Sequence, residues 1–316
     1  MTLKFLLPVC AILVLAAWIG PVPTQSNHPK IAFRTVSVDG LTLFYREAGD
    51  PSKPAILLLH GFPSTSHMYG NLMTDLADRY HLIAPDYPGF GNSSLPAPDA
   101  FAYSFDHLAT VMNDFIQALN LKKIALYMQD YGGPVGFRLA SEHPENISAL
   151  IIQNANAYNE GLGEGFSKIM KMQQAGDRKG VDAILRHIIS FDGIKEQYIG
   201  GAGDATHIPP EAWLTDLFYI QRPGVADIQS ALFYDYHNNL DKYSQWQRYF
   251  QDHQPPALIL WGQNDPIFTA PGANAYSKDL PNAEVHLLNG GHFALVEYSS
   301  EMAGYIKAFL SEKGIK

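Results

Sequence analysis

The sequence predicts an α/β protein: a mostly parallel sheet flanked by helices, with a helical insertion ahead of its last strands. Two observations predict it. Apolar runs without alternation, Ala55–Leu59 and residues 257–261, have the pattern of strands buried on both faces. Amphipathic helical stretches separate such runs, which requires parallel strands joined by crossover helices. Between residues 158 and 247 the alternation stops, and the chain becomes rich in aromatics, glycine and polar residues with mixed helical periodicity. At 316 residues, 47% apolar and 17% charged, the chain can bury a sizeable core. A formal charge of −9 and the lack of any Lys/Arg cluster argue against a nucleic-acid partner.

The elements follow in chain order. After Lys4, residues 5–19 form an uncharged run too short to span a bilayer and interrupted by Pro8. Residues 1–24 are therefore expected to be a secretory signal, with an uncleaved N-terminal anchor as the alternative. The expected location is secreted or periplasmic, and membrane contact is expected only if the anchor is retained. The single cysteine, Cys10, lies in this segment, so the rest of the chain has no disulfide or thiol chemistry. Strands over 33–38 and 41–47 meet at Asp39-Gly40, a strong hairpin signal. The strand Ala55–Leu59 ends in His60-Gly61-Phe62-Pro63; a helix over 68–79, a strand over 81–84 and a helix over 104–119 follow. A strand over 124–128, a helix over 135–142 and a strand over 149–153 complete the first part. Beyond the insertion come a strand over 257–261, a helix over 274–279, the strand Glu284–Leu288 and a helix over 300–310. The core is expected in two parts, 30–157 and 248–316, with 158–247 as a helical cap.

Three short stretches carry the chemistry. In Leu126-Tyr127-Met128-Gln129-Asp130-Tyr131-Gly132-Gly133-Pro134 a strand turns sharply into a helix with Asp130 at the tip. Small residues around such a turn let a strained backbone hold the side chain above the sheet, and an aspartate there can attack carbon and form an ester. Asp265 lies just past one late strand, in Gly262-Gln263-Asn264-Asp265-Pro266, and His292 just past the next, in Asn289-Gly290-Gly291-His292-Phe293. Taken singly, each reads as an ordinary turn residue. Together, at the carboxyl ends of strands where open α/β sheets bind ligands, they converge, in the order nucleophile, acid, histidine.

From about residue 33 to residue 310 the chain resembles an α/β-hydrolase with a cap, and within that fold the epoxide hydrolase and haloalkane dehalogenase branch. The match rests on His60-Gly61-Phe62-Pro63, Gln129-Asp130-Tyr131-Gly132-Gly133, Asp265 and Gly291-His292-Phe293. The resemblance implies an eight-stranded, mostly parallel sheet and a reaction in two steps. Asp130 would displace an epoxide oxygen or a halide from carbon, leaving an alkyl ester; His292, oriented by Asp265, would activate the water that hydrolyses it. The backbone N–H groups of Phe62 and Tyr131 are implied as the oxyanion hole. No cofactor and no metal enter this reading, and the expected partners are a small apolar substrate and water.

An epoxide is expected over a haloalkane. The dehalogenases that resemble this chain place an indole after the nucleophile and an Asn or second Trp nearby, where this chain has Tyr131 and Phe62. The segment 234–240 resembles the Tyr-Arg-Asn segment of epoxide hydrolase caps, with His237 in place of the arginine. It implies Tyr236 as proton donor, with Tyr198 as a second and Tyr219 as a weaker candidate. Substrate contacts are expected from His60, Phe62, Tyr131, Trp213, Tyr219 and Phe293. Tyr131 also stands where fluoroacetate dehalogenases carry an arginine, which disfavours a haloacid. Two alternatives are a haloalkane dehalogenase-like carbon–halogen hydrolase and a ligand-binding member without turnover; the complete Asp130, His292, Asp265 set weighs against the second.

Overall fold

The computed structural model describes residues 30–316. The signal or anchor expected in residues 1–24 lies outside the described residues. Among the described residues, no helix is long and apolar enough to cross a membrane.

The chain enters as a hairpin, β1 (Ala32–Val38) and β2 (Leu41–Ala48), paired antiparallel. Asp39 and Gly40 take positive φ values of 48° and 78° at the turn, the conformation that matches the twist of a tight hairpin. Six strands follow: β3 (Ala55–Leu59), β4 (His81–Pro85), β5 (Ile124–Gln129), β6 (Ile147–Gln153), β7 (Ala257–Gly262) and β8 (Glu284–Leu288). The sheet order is β1-β2-β4-β3-β5-β6-β7-β8, parallel from β4 onward. Strands β3, β4, β5 and β7 are buried at every position, which explains their unbroken apolar runs.

Both faces of the sheet are covered, and the pleat decides which side chain goes where. Leu57 and Leu59 pack with α2 (Phe105–Ala118) and α3 (Gly132–Glu142), whereas Ile56 and Leu58 pack on the opposite face with α1 (Gly70–Leu76). The C-terminal helix, Ala294–Glu312, lies on that second face through Met302, Ile306 and Phe309. Each such side chain contributes roughly 1.5–3 kcal/mol by leaving water.

Between β6 and β7 the chain forms α4 (Glu164–Gln174), α5 (Arg178–Ile188), α6 (Phe191–Ile199), α7 (Pro210–Ile220), α8 (Val225–Asp235) and α9 (Asn238–His253). The expected boundary at 247 falls inside α9. That helix packs on the core: the Trp246 and Phe250 rings lie 5.2 and 5.6 Å from Phe137 of α3. It is thus the crossover helix from β6 to β7, and the inserted helices stop at α8.

After β7 come α10 (Ala270–Ala275) and, past β8, α11 (Ala294–Glu312). Several helix limits differ from those expected. The helix over 68–79 is a 3-10 turn, Ser66–Tyr69, followed by α1. The last helix starts at Ala294, well before residue 300, and kinks at Tyr298. One further bridge matters below: Leu162, at the entry to the inserted helices, pairs antiparallel with Phe268 after β7. Gly163 N–H donates to the Ile267 carbonyl at 2.9 Å and Thr269 N–H to the Gly161 carbonyl at 2.8 Å.

Candidate active site

Strand β5 ends at Gln129 and α3 begins at Gly132, so only Asp130 and Tyr131 make the turn. Asp130 has φ +48°, a left-handed conformation that costs a non-glycine residue roughly 1–2 kcal/mol. Its surroundings hold it there by close approach of backbone. A Cβ at Gly132 would sit 2.1 Å from the Leu59 carbonyl oxygen, and one at Gly61 would sit 2.3 Å from Asp130 Cβ. Glycine is required at both places for the loops after β3 and β5 to meet.

That meeting supplies a hydrogen bond to the carboxylate. Phe62 N–H donates to Asp130 Oδ1 at 2.7 Å, and the neighbouring Tyr131 N–H also favours the charged carboxylate. His60 shapes the loop from beneath. Its Nδ1 contacts the Gly61 carbonyl at 3.0 Å, its Nε2 accepts from Tyr87 N–H at 3.4 Å, and its ring packs on Tyr87 and Phe90.

His292, in the loop between β8 and α11, is 1% exposed. Its Nδ1 donates to Asp265 Oδ2 at 2.7 Å, which leaves Nε2 as the basic nitrogen. Nε2 lies 3.7 Å from Asp130 Oδ2 and accepts from the Gln129 amide at 3.2 Å. Asp265, after β7, is itself fixed by other donors. Its Oδ2 also accepts from Asn154 Nδ2 at 2.8 Å, and its Oδ1 accepts from Ile267 and Phe268 N–H at 2.7 and 3.1 Å. Asn154 follows β6 and in turn accepts from Gly262 N–H at 2.9 Å.

The electrostatics fit a carboxylate beside a base. Burial pushes the Asp130 carboxyl above its ordinary range, although the His292 charge and the two N–H groups pull the other way. For His292, burial acts to lower the pKa, but the Asp265 charge and hydrogen bond and the Asp130 charge outweigh it and hold the imidazole above its ordinary value. A desolvated carboxylate and a strengthened base therefore face each other in a site that excludes bulk water.

A cavity of about 290 Å³ opens over Asp130. Phe62, Tyr131 and His292 line it from the core; Phe166 and Ile169 of α4 and Phe233 of α8 line it from above. His187, Glu196 and Gln197 line it too, from α5 and α6.

Several residues expected here lie elsewhere. Tyr198 does not line the cavity: α6 turns Gly193, Glu196 and Gln197 toward it, so Tyr198 falls on another side of the helix, its hydroxyl bonded to Asp216 Oδ2 at 2.5 Å. Tyr219 also lies off the cavity and accepts from Asn92 Nδ2 at 2.9 Å. Trp213 packs beside Tyr198 and under Lys195. Phe293 stacks on Tyr198 and meets His292 edge-on, and His60 lies beneath the loop, so neither lines the cavity. Tyr236 sits one layer back, its ring 5.9 Å from Tyr131 and 5.0 Å from Phe166. Its hydroxyl and that of Tyr131 are both buried without a hydrogen-bond partner. Gln129 and Asn154 were not expected. Each is a polar residue at the carboxyl end of a buried strand, the same signal that marks Asp130.

A mostly parallel sheet in this order, with a sharp turn after β5 and an acid and a histidine after β7 and β8, is the architecture of α/β hydrolases. The comparison with known proteins agrees. The chain belongs to the α/β hydrolase fold family, which it matches over residues 54–178 and 216–298. An uncharacterized hydrolase of Saccharomyces cerevisiae is 40% identical over 277 residues, covering 87% of this chain and 95% of that protein. A cis-3-alkyl-4-alkyloxetan-2-one decarboxylase of Shewanella oneidensis is 28% identical over 88% of this chain and 87% of its own length. A haloalkane dehalogenase of Psychrobacter cryohalolentis is 26% identical over 86% and 88%, respectively. Among solved structures, a ligand-free epoxide hydrolase has the same fold, with a TM-score of 0.72 at 19% identity over 90% of this chain and 99% of its own. The chain is a hydrolase of the branch in which epoxide hydrolases and haloalkane dehalogenases occur.

Proposed function

We propose that this hydrolase opens an epoxide through an ester on Asp130. The observation that carries the reading is the pairing of that buried carboxylate with two kinds of partner. The Phe62 N–H bonds it on one side, and His292 Nε2 stands 3.7 Å away on the other. In the first step Asp130 attacks an epoxide carbon and the C–O bond breaks toward the ring oxygen. A proton must reach that oxygen. The partnerless hydroxyl of Tyr131, which lines the cavity, is the proposed donor, and that of Tyr236, one layer behind Tyr131, is its proposed proton relay. In the second step His292 takes a proton from water, hydroxide adds to the ester carbonyl, and the Phe62 and Tyr131 N–H groups bind the resulting oxyanion. Collapse breaks the ester C–O bond, and the product oxygen takes the proton held by His292. The carboxyl proton left by the added hydroxide returns to the tyrosinate, so the diol leaves and Asp130 is a carboxylate again. Helices α4–α8 act as the cap, supplying the apolar wall that suits a small apolar substrate.

The epoxide is favoured over a carbon–halogen bond because no indole lines the cavity. The relative named for an oxetan-2-one, another strained oxygen ring, supports the same preference. One feature favours the dehalogenase reading: the His187 ring, an N–H donor, lines the cavity and could face a leaving halide. Incubation with an aryl epoxide and, separately, a bromoalkane decides between them. The expected result is diol formation with little bromide release. On His292→Gln protein, the peptide containing Asp130 should gain the epoxide's mass. Rapid bromide release, or unmodified Asp130 in that variant, would overturn the reading.

A further inference from the structure

Between α6, α7 and the turn after β3 lies a buried polar cluster that the proposed chemistry does not use. Asp216 of α7 is fully buried. Its Oδ2 accepts the Tyr198 hydroxyl at 2.5 Å, while the Ser64 hydroxyl donates to the Thr65 carbonyl at 3.4 Å. Its Oδ1 has no hydrogen-bond partner and lies 3.5 Å from His67 Nδ1. On the other side, the Tyr198 ring stacks flat on Phe293, with centroids 4.0 Å apart and planes 10° apart, and Phe293 directly follows His292. A single carboxyl is thus linked through two stacked rings to the base.

We propose that Asp216 is a positioning residue for ester hydrolysis: through Tyr198 and Phe293 it fixes the His292 ring. The assignment rests on the Asp130 chemistry proposed above. The groups that face the carboxyl are Tyr198 from α6, Ser64 and His67 from the turn after β3, and, farther off, Asp86 after β4. None supplies a positive charge, since burial and the nearby Arg46 drive His67 down to about 4. Burial pushes Asp216 itself up to about 8 against the Tyr198 and Ser64 hydroxyls, with help from Asp86. Burial therefore favours the neutral acid, and its ionisation places a buried charge near Asp86.

The test separates the two chemical steps in single turnovers with an aryl epoxide, for wild type, Asp216→Asn and Asp216→Ala. Because a well-placed general base is worth ~10²–10⁴ in rate, even partial displacement of His292 in Asp216→Ala should slow ester hydrolysis by about tenfold or more. Ester formation should change little. Asp216→Asn keeps the shape and the acceptor for Tyr198, so it should hydrolyse ester near the wild-type rate at neutral pH. It should also lack the loss of rate that wild type shows as pH rises through about 8. Equal slowing of both steps in Asp216→Ala, or an unchanged alkaline limb in Asp216→Asn, would overturn the proposal.

A thermal-stability arm needs no substrate. A carboxyl whose folded pKa lies above its unfolded value contributes stability that is lost as pH rises toward the folded pKa. The Tm of wild type should therefore fall relative to Asp216→Asn as pH rises toward about 8 and level off beyond it. A pH-independent difference overturns the proposal whatever the kinetics show. If wild type and variants form no ester at all, the Asp130 reading fails and takes the catalytic role of Asp216 with it, while the Tm arm still reports the carboxyl's protonation.

Discussion

Replacing Asp265 with asparagine tests the link between hydrogen-bond geometry and the second chemical step. Four donors converge on this carboxylate: His292 Nδ1 and Asn154 Nδ2 on one oxygen, Ile267 N–H and Phe268 N–H on the other. An amide offers one oxygen and one NH2 group, so whichever way it turns, one of the two pairs of donors meets a donor. Burying such an unmet group costs about 1–3 kcal/mol. If the amide nitrogen faces His292, the imidazole must move its proton to Nε2 and can no longer take one from water. In hydrolases with a comparable triad the same change costs ~10⁴ in rate through the wrong tautomer. His292 also loses the largest influence that raises its pKa. Ester hydrolysis in Asp265→Asn should therefore fall by about 10³–10⁴, while ester formation, which uses only Asp130 and a proton donor, should change by less than about tenfold. Rapid-quench mass spectrometry of the peptide containing Asp130 measures both rates. Ester that turns over at the wild-type rate, or both steps slowed equally, would refute the reasoning.

Three further outcomes follow from the same geometry. Tyr131→Phe and Tyr236→Phe remove hydroxyls that have no protein partner, so urea unfolding should show no loss of stability. Ring opening should nevertheless slow by about 10²–10⁴ in whichever variant loses the proton donor; full activity in both would exclude these hydroxyls. In the pH profile, ester hydrolysis needs neutral His292, so its rate should fall as pH drops through a value above the ordinary histidine pKa. Asp265→Asn should move that limb to lower pH, and a limb that stays put would separate Asp265 from the base. Gly132→Ala drives a Cβ to within 2.1 Å of the Leu59 carbonyl oxygen and should cost about 1–3 kcal/mol in urea unfolding; an unchanged midpoint would show that the elbow is looser than described.

The sheet was readable in the sequence because burial on both faces leaves no other pattern for β3, β5 and β7. Asp130, Asp265 and His292 were readable because each stands just past a strand, within two residues of a glycine or proline. The limits of the inserted helices were not. Tyr243, Trp246 and Phe250 give α9 one apolar face whether it covers a ligand or a sheet, and periodicity carries no label for which. Tyr198 failed for a related reason: on α6 its neighbours Glu196 and Gln197 reach the cavity, and a residue or two along a helix decides which side a ring takes. The start of α11 at Ala294 was hidden by the kink at Tyr298. Gln129 and Asn154 could have been found by extending to every strand end the reasoning used for Asp130.

The bridge between Leu162 and Phe268 bears on exchanging caps between members of this fold. The two N–H groups that hold Asp265 Oδ1 belong to Ile267 and Phe268, and the same short stretch is laced to Gly161, Leu162 and Gly163 at the root of the inserted helices. A chimera joined at residue 163 would pair a foreign root with the native 266–269 loop, and the error would reach the acid that orients His292 although no catalytic residue had been altered. The transplantable unit is thus discontinuous: residues 161–235 together with 266–269.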